Sequence, residues 1–123
     1  GMSAWTSAGY PASSFEAITI DDLRGRWQRH EPLTVLDVRD AAEWNAGHIE
    51  GSQHIHVADL LSHLHEIPRD KPVATICQSG HRAAIAASIV SSLGIETLAV
   101  QRGGVPRWLK VDATVQTADH AHL

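Results

Sequence analysis

The chain has 123 residues, a length that makes one domain with little left over. Hydrophobic residues make up 43% and charged residues 20%, an ordinary globular balance that excludes collagen-like, coiled-coil and disordered classes. The formal net charge of −4 offers no basic field to nucleic acid, and no apolar run approaches the ~18 residues that cross a bilayer.

Residues 1–17 read as a lead-in without periodicity, in which Gly1 before Met2 has the look of an expression scar. Nothing after Met2 resembles the basic stretch and apolar core of a signal peptide. From Ile18 the chain alternates compact apolar runs with amphipathic stretches. Ile18-Thr19-Ile20 predicts a short first strand, and Asp21 or Thr19 caps a helix to about Arg29 with Leu23 and Trp27 on one face. Thr34–Val38 reads as a buried strand, and Asp40–Asn45 as a short helix that Gly47 ends. His54–Val57 is a weaker strand, followed by a helix over Ala58–Glu66 that Pro68 stops. Pro72–Cys77 is the next strand. His81–Leu93 is the longest helix, with Gly94 placed as its C′ residue, and Glu96–Val100 is the last strand. Strands alternating with helices at these spacings imply an α/β fold with a five-strand, mostly parallel sheet flanked by helices on both faces. The domain is assigned to residues 18–112, and residues 113–123 to a polar C-terminal tail carrying His120 and His122.

In such sheets ligands bind beyond the carboxyl ends of the strands, where a loop meets a helix N-terminus. Cys77 ends a strand, Gln78-Ser79-Gly80-His81-Arg82 follows, and a long helix comes next. The first amides of a helix have no intrahelical partner, and with the helix dipole and Arg82 they favour an anion in the hollow of that loop. Thiolates are favoured in such surroundings, which makes Cys77 a candidate nucleophile. Gly80 lets the backbone curl at positive φ. The plainer alternative is a buried cysteine acting as a small hydrophobe. Cys77 is the sole cysteine, so no internal disulfide is possible, and the chain is assigned to a reducing, cytoplasmic compartment.

Three groups of residues carry a family resemblance from about Ile18 to Leu109. They are Leu36-Asp37-Val38-Arg39 with Glu43-Trp44 and Gly47-His48-Ile49-Glu50-Gly51-Ser52, then Cys77–Arg82, then Gly103-Gly104 with Trp108. In order and spacing they resemble the rhodanese family of sulfurtransferases. That resemblance implies a single rhodanese-like domain. Cys77 would take a sulfane sulfur from a donor such as thiosulfate or a persulfide, become a persulfide itself, and pass the sulfur to a thiol or cyanide. Arg82 would bind the anion, Gln78, Ser79, Gly80 and His81 would line the substrate, and no cofactor is expected. Phosphatases and arsenate reductases on a similar architecture keep five residues between cysteine and arginine. Here four intervene, Ala83 stands where the longer loop has its arginine, and no acid lies in the loop.

Other residues are assigned support roles. Arg39 and Glu43, four apart at a strand-to-helix junction, are expected to pair. Asp37, inside a strand, needs hydrogen-bond partners and is expected to brace the active face. His54 and His56 with Asp59, His63 and His65 invite a metal, but Ala58 stands where a further acid is wanted, so no metal site is expected. Gly1-Met2-Ser3-Ala4-Trp5 repeats the Gly104-x-x-x-Trp108 spacing and Gly9-Tyr10-Pro11 follows, which resembles the tail of a preceding rhodanese domain. The chain is therefore expected to be a C-terminal module of a longer tandem protein, fused to or partnered with a sulfur-metabolising domain. A partner-binding module without catalysis, or a sulfur relay serving another enzyme, is the alternative function.

Overall fold

The computed structural model describes residues 15–110. Ten elements follow in order: β1 (Glu16–Thr19), α1 (Ile20–Gln28), β2 (Thr34–Asp37), α2 (Ala41–Ala46), β3 (Gln53–His54), 3₁₀ turns over Val57–Ser62 and Leu64–Glu66, β4 (Val73–Ile76), α3 (His81–Ser91) and β5 (Thr97–Arg102). A helical segment over 105–110 closes the described chain. The strands form one sheet in the order β1-β5-β4-β2-β3, and every pairing between them is parallel. The lead-in motif of residues 1–11 and the 113–123 tail lie outside the described residues.

Burial on both faces explains the near-continuous apolar runs of the central strands. Alternate strand residues project to opposite sides. Val35, Ala74, Ile76, Leu98 and Val100 pack with Ile20 and Leu23 of α1 and with Val105 and Trp108. Leu36, Val38, Val73 and Cys77 pack on the other side with Ala83, Ala86 and Val90 of α3 and with Leu60. Cys77 therefore sits on the α3 side of the sheet.

Local chemistry sets the element ends. Thr19 Oγ1 accepts from Asp22 N at 3.0 Å, so Thr19 is the cap of α1, and Ile20 opens that helix. β1 therefore ends at Thr19, and it starts at Glu16, paired with Leu98 and inside the stretch assigned from sequence to the lead-in. At α2, Asp40 and Glu43 form a reciprocal capping box, Asp40 Oδ1 accepting from Glu43 N at 2.8 Å and Glu43 Oε1 from Asp40 N at 3.1 Å. Helix α3 ends at Ser91, and Gly94 takes a left-handed φ of +82° in the turn that follows.

Two expectations change. The Ala58–Glu66 helix is replaced by two 3₁₀ turns that meet at His63, held by i→i+3 bonds such as His63 N to Leu60 O at 2.9 Å. Neither turn has a side-chain cap, and Leu61 is 72% exposed, so the apolar spacing buries too little to sustain an α-helix. The His54–Val57 strand also shifts, because only Gln53–His54 pairs in register with β2. Ile55 N and Val57 N still bond Asp37 O and Val38 O as the chain peels away.

Candidate active site

From β2 the chain moves outward to β3, and from β4 it moves the opposite way to β5. The crevice between the carboxyl ends of β2 and β4 is therefore the topological switch point, where open α/β sheets bind ligands. The loops at those two ends carry most of the residues singled out from sequence.

The Cys77 sulfur lies beneath the first turn of α3. Sγ accepts from Gly80 N at 3.0 Å and from Ala83 N at 3.3 Å, and the residue is 1% exposed. Two amides at a helix N-terminus thus face the sulfur, an environment that stabilises negative charge on it. Gly80 makes the curl possible at φ +112°. A Cβ there would stand 2.8 Å from Gln101 O, a backbone atom that cannot step aside. Gly104 is just as constrained from the other side, since any Cβ would collide with the carbonyl oxygens of Cys77 and Gln78. Val105 N donates to Cys77 O at 3.1 Å and completes the brace. Beneath the loop, Thr75 Oγ1 donates to Ala83 O at 2.8 Å and ties the first turn of α3 to β4. Gln78, Ser79 and His81 are exposed around the rim, and their side chains make no hydrogen bond among the described residues.

The charged residues pair differently from expectation. Arg39 does not meet Glu43. Its guanidinium closes on Asp37, Nε at 3.0 Å from Oδ1 and Nη2 at 2.8 Å from Oδ2, and the Arg39 N–H adds a 3.0 Å bond to Oδ1. Residues two apart in extended chain lie on one side, and Asp37 is fully buried, so the nearest cation is drawn in to satisfy it. Arg39 Nη2 also donates to Gly47 O at 2.8 Å, which fixes the end of α2. Glu43 instead takes Arg82 from the cysteine loop, Nη1 to Oε1 at 2.6 Å and Nη2 to Oε2 at 3.0 Å. The hydrogen bonds from Arg82 hold the Glu43 carboxyl down to about 2 against the opposing effect of burial, with the Asp40 amide helping. Arg82 is correspondingly held more firmly protonated, chiefly by Glu43 and to a smaller degree by the Cys77 sulfur.

Trp44 stacks between two imidazoles, His48 at 3.6 Å and His54 at 4.6 Å between ring centroids. His54 Nε2 bonds Arg39 O at 2.8 Å, and His63 Nδ1 bonds Asp59 O at 2.9 Å. Among the described residues no group of three or more histidine, cysteine or acidic side chains is arranged to hold a metal ion. A cleft of about 280 Å³ opens beside the loop, lined by Arg39, Glu43, Gly47, Gln78, Pro106 and Leu109 among others. The larger hollow of about 640 Å³ around Trp27, Pro32 and Lys71 lies at the opposite, amino ends of β2 and β4. No helix among the described residues is long and apolar enough to cross a membrane.

Sequence reasoning missed Thr75, Gln101 and the Glu43–Arg82 bridge. Asp40-x-x-Glu43 carried a legible capping-box signal that would have placed Glu43 at the start of α2.

The family model for the rhodanese-like domain matches residues 19–111. The chain is 32% identical over 101 residues to a Mycobacterium tuberculosis protein named as a probable adenylyltransferase/sulfurtransferase, MoeZ. That match covers 80% of this chain and 26% of MoeZ, so the chain spans about a quarter of that relative. The crystal structure of a rhodanese-related protein from Thermoplasma volcanium superposes with a TM-score of 0.68 at 32% identity, covering 78% of this chain and 92% of the other. The human single domain sulfurtransferase TSTD1 shares the fold, with a TM-score of 0.65 at 24% identity over 79% of this chain and 97% of its own.

Proposed function

Because the chain belongs to the rhodanese-like domain family, we propose that it is a sulfurtransferase whose carrier is Cys77. The observation that carries this reading is the Cys77 sulfur receiving the Gly80 and Ala83 amides at the start of α3.

In the first half-reaction the Cys77 thiolate attacks the outer sulfur of the donor. For thiosulfate, the new bond joins the two sulfurs, the old sulfur–sulfur bond breaks, and its electron pair leaves with sulfite. Cys77 becomes a persulfide anion. In the second, an acceptor thiolate or cyanide attacks the outer sulfur, the persulfide bond breaks, and its electron pair returns to Cys77. No electron or proton is left over, so neither step calls for a cofactor. The backbone of Gln78–Arg82 would hold the persulfide, because preorganised amides aimed at a developing charge lower its energy without rearranging. Arg82 would contribute to donor binding with the N–H groups that Glu43 does not use, and exposed His81 would contact the donor at the rim. A donor or acceptor thiol would approach through the cleft beside Gln78 and Leu109.

The sulfurtransferase name of a relative about three times as long favours a second form of the same chemistry, in which Cys77 relays sulfur to a fused or partner protein. Thiocyanate formation from thiosulfate and cyanide, compared in the wild type and in Cys77→Ser, tests the reading. Turnover is expected in the first alone, and equal turnover in both would overturn it.

A further inference from the structure

Gln101, half-buried at the carboxyl end of β5, touches Gly80 in two ways. Its backbone fills the space that a side chain on Gly80 would need. Its side-chain Nε2 donates to Gly80 O at 3.1 Å. The same carbonyl accepts from Ala84 N at 3.0 Å, the first bond of helix α3.

A planar trans peptide points its carbonyl and the following N–H in opposite directions. Ala84 draws Gly80 O toward the body of α3, so the His81 N–H at the other end of that peptide points out of the helix's amino end. Gly80 N and Ala83 N meet the Cys77 sulfur at that end. Glycine at position 80 gives this peptide more rotational freedom than any other residue would. One helical bond leaves the second lone pair of Gly80 O open, and the Gln101 amide takes it. That bond anchors the loop to the neighbouring strand.

We propose that Gln101 is a positioning residue, whose amide clamps the Gly80–His81 peptide so that the first-turn amides of α3 stay aimed at sulfur on Cys77. Its kinetic consequence rests on the sulfurtransferase reading, but the clamp is a property of the free protein.

Gln101→Met keeps the side chain's length and removes its donor, and Gln101→Glu keeps the shape while replacing the donor by an acceptor. Amide hydrogen exchange on the whole chain tests the clamp: the Gly80 and Ala83 amides, which donate to the Cys77 sulfur, are expected to exchange about tenfold faster in both variants, with the β4 amides unchanged. Loop exchange equal to wild type would overturn the proposal. Single-turnover loading of Cys77 from thiosulfate tests the consequence: the loading rate constant at saturation is expected to fall at least about fivefold, with half-saturating thiosulfate within about twofold. Unchanged loading despite faster exchange would also overturn it. If the wild type takes up no sulfur, the sulfurtransferase reading falls on its own, and exchange still decides whether Gln101 holds the loop.

Discussion

Arg82 grips Glu43 at two points, 2.6 Å and 3.0 Å, and so joins the cysteine loop to the first turn of α2 across the switch point between β2 and β4. Side-chain exposures of 26% and 25% place the bridge partly out of water, where each charge depends on the other. An anion arriving at Arg82 would therefore meet a guanidinium whose charge the Glu43 carboxylate already balances. Removing the two partners should act in opposite directions. Arg82→Ala leaves an uncompensated carboxylate beside the loop and is expected to raise the KM for thiosulfate about tenfold, whereas Glu43→Gln frees the guanidinium and is expected to lower it about threefold. Steady-state kinetics of the two variants at one ionic strength check this, and a KM that moves the same way in both would refute the bridge's role.

Glu43 also gives the fold an acid-sensitive joint. Its carboxyl is held down to about 2 from an ordinary 4.5, so folding favours the charged form. The stabilisation is complete above the unfolded value and is lost as pH falls from about 5 through 2, because the unfolded chain takes up the proton first. The shift corresponds to about 3 kcal/mol as an upper bound. Urea unfolding at pH 6 and pH 3 should show a larger loss of stability for the wild type than for Glu43→Gln, which has no proton to gain at that site.

Gly80→Ala places a Cβ against the Gln101 backbone at a φ that side chains rarely adopt. A cost of about 1–3 kcal/mol is expected from the strain. Loading of Cys77 should fall more steeply than stability does, since relief of the clash moves the Gly80 amide off the sulfur. Thermal unfolding alongside single-turnover loading separates the two effects.

Asp37 and Arg39 are 0% and 4% exposed and satisfy each other through several bonds. Asp37→Ala leaves a buried guanidinium without its carboxylate and is expected to cost about 3–5 kcal/mol. Denaturant titration checks the magnitude. A loss below about 1 kcal/mol would mean that water reaches Arg39 and replaces the partner.

The strand–loop–helix around Cys77 was legible because each part has a local signature: an apolar run that stops at Cys77, a glycine at the curl, and a long apolar period after His81. The parallel sheet followed from the alternation of such units. Pairing across the switch point was not legible. Glu43 and Arg82 are 39 residues apart and meet only because β2 and β4 lie side by side. The i,i+4 spacing of Arg39 and Glu43 suggested a local bridge, but Arg39 sits in extended chain, and burial of Asp37 decided its partner. Leu60, Leu61 and Leu64 carry a helical spacing that yielded to 3₁₀ turns, since Leu60 alone of the three is fully buried, Leu64 packs on the core only in part and Leu61 is exposed. Gln101 bears no local pattern, and its importance comes entirely from the strand beside it.

Whether Cys77 carries sulfur is decided by intact-protein mass spectrometry after incubation with thiosulfate, and again after cyanide. Cys77 is the sole cysteine, so any persulfide can be assigned to it. A gain of about 32 Da, one sulfur atom, is expected, which cyanide removes and Cys77→Ser never shows. No gain with excess thiosulfate and with an excess small-molecule persulfide would contradict Cys77 as the carrier.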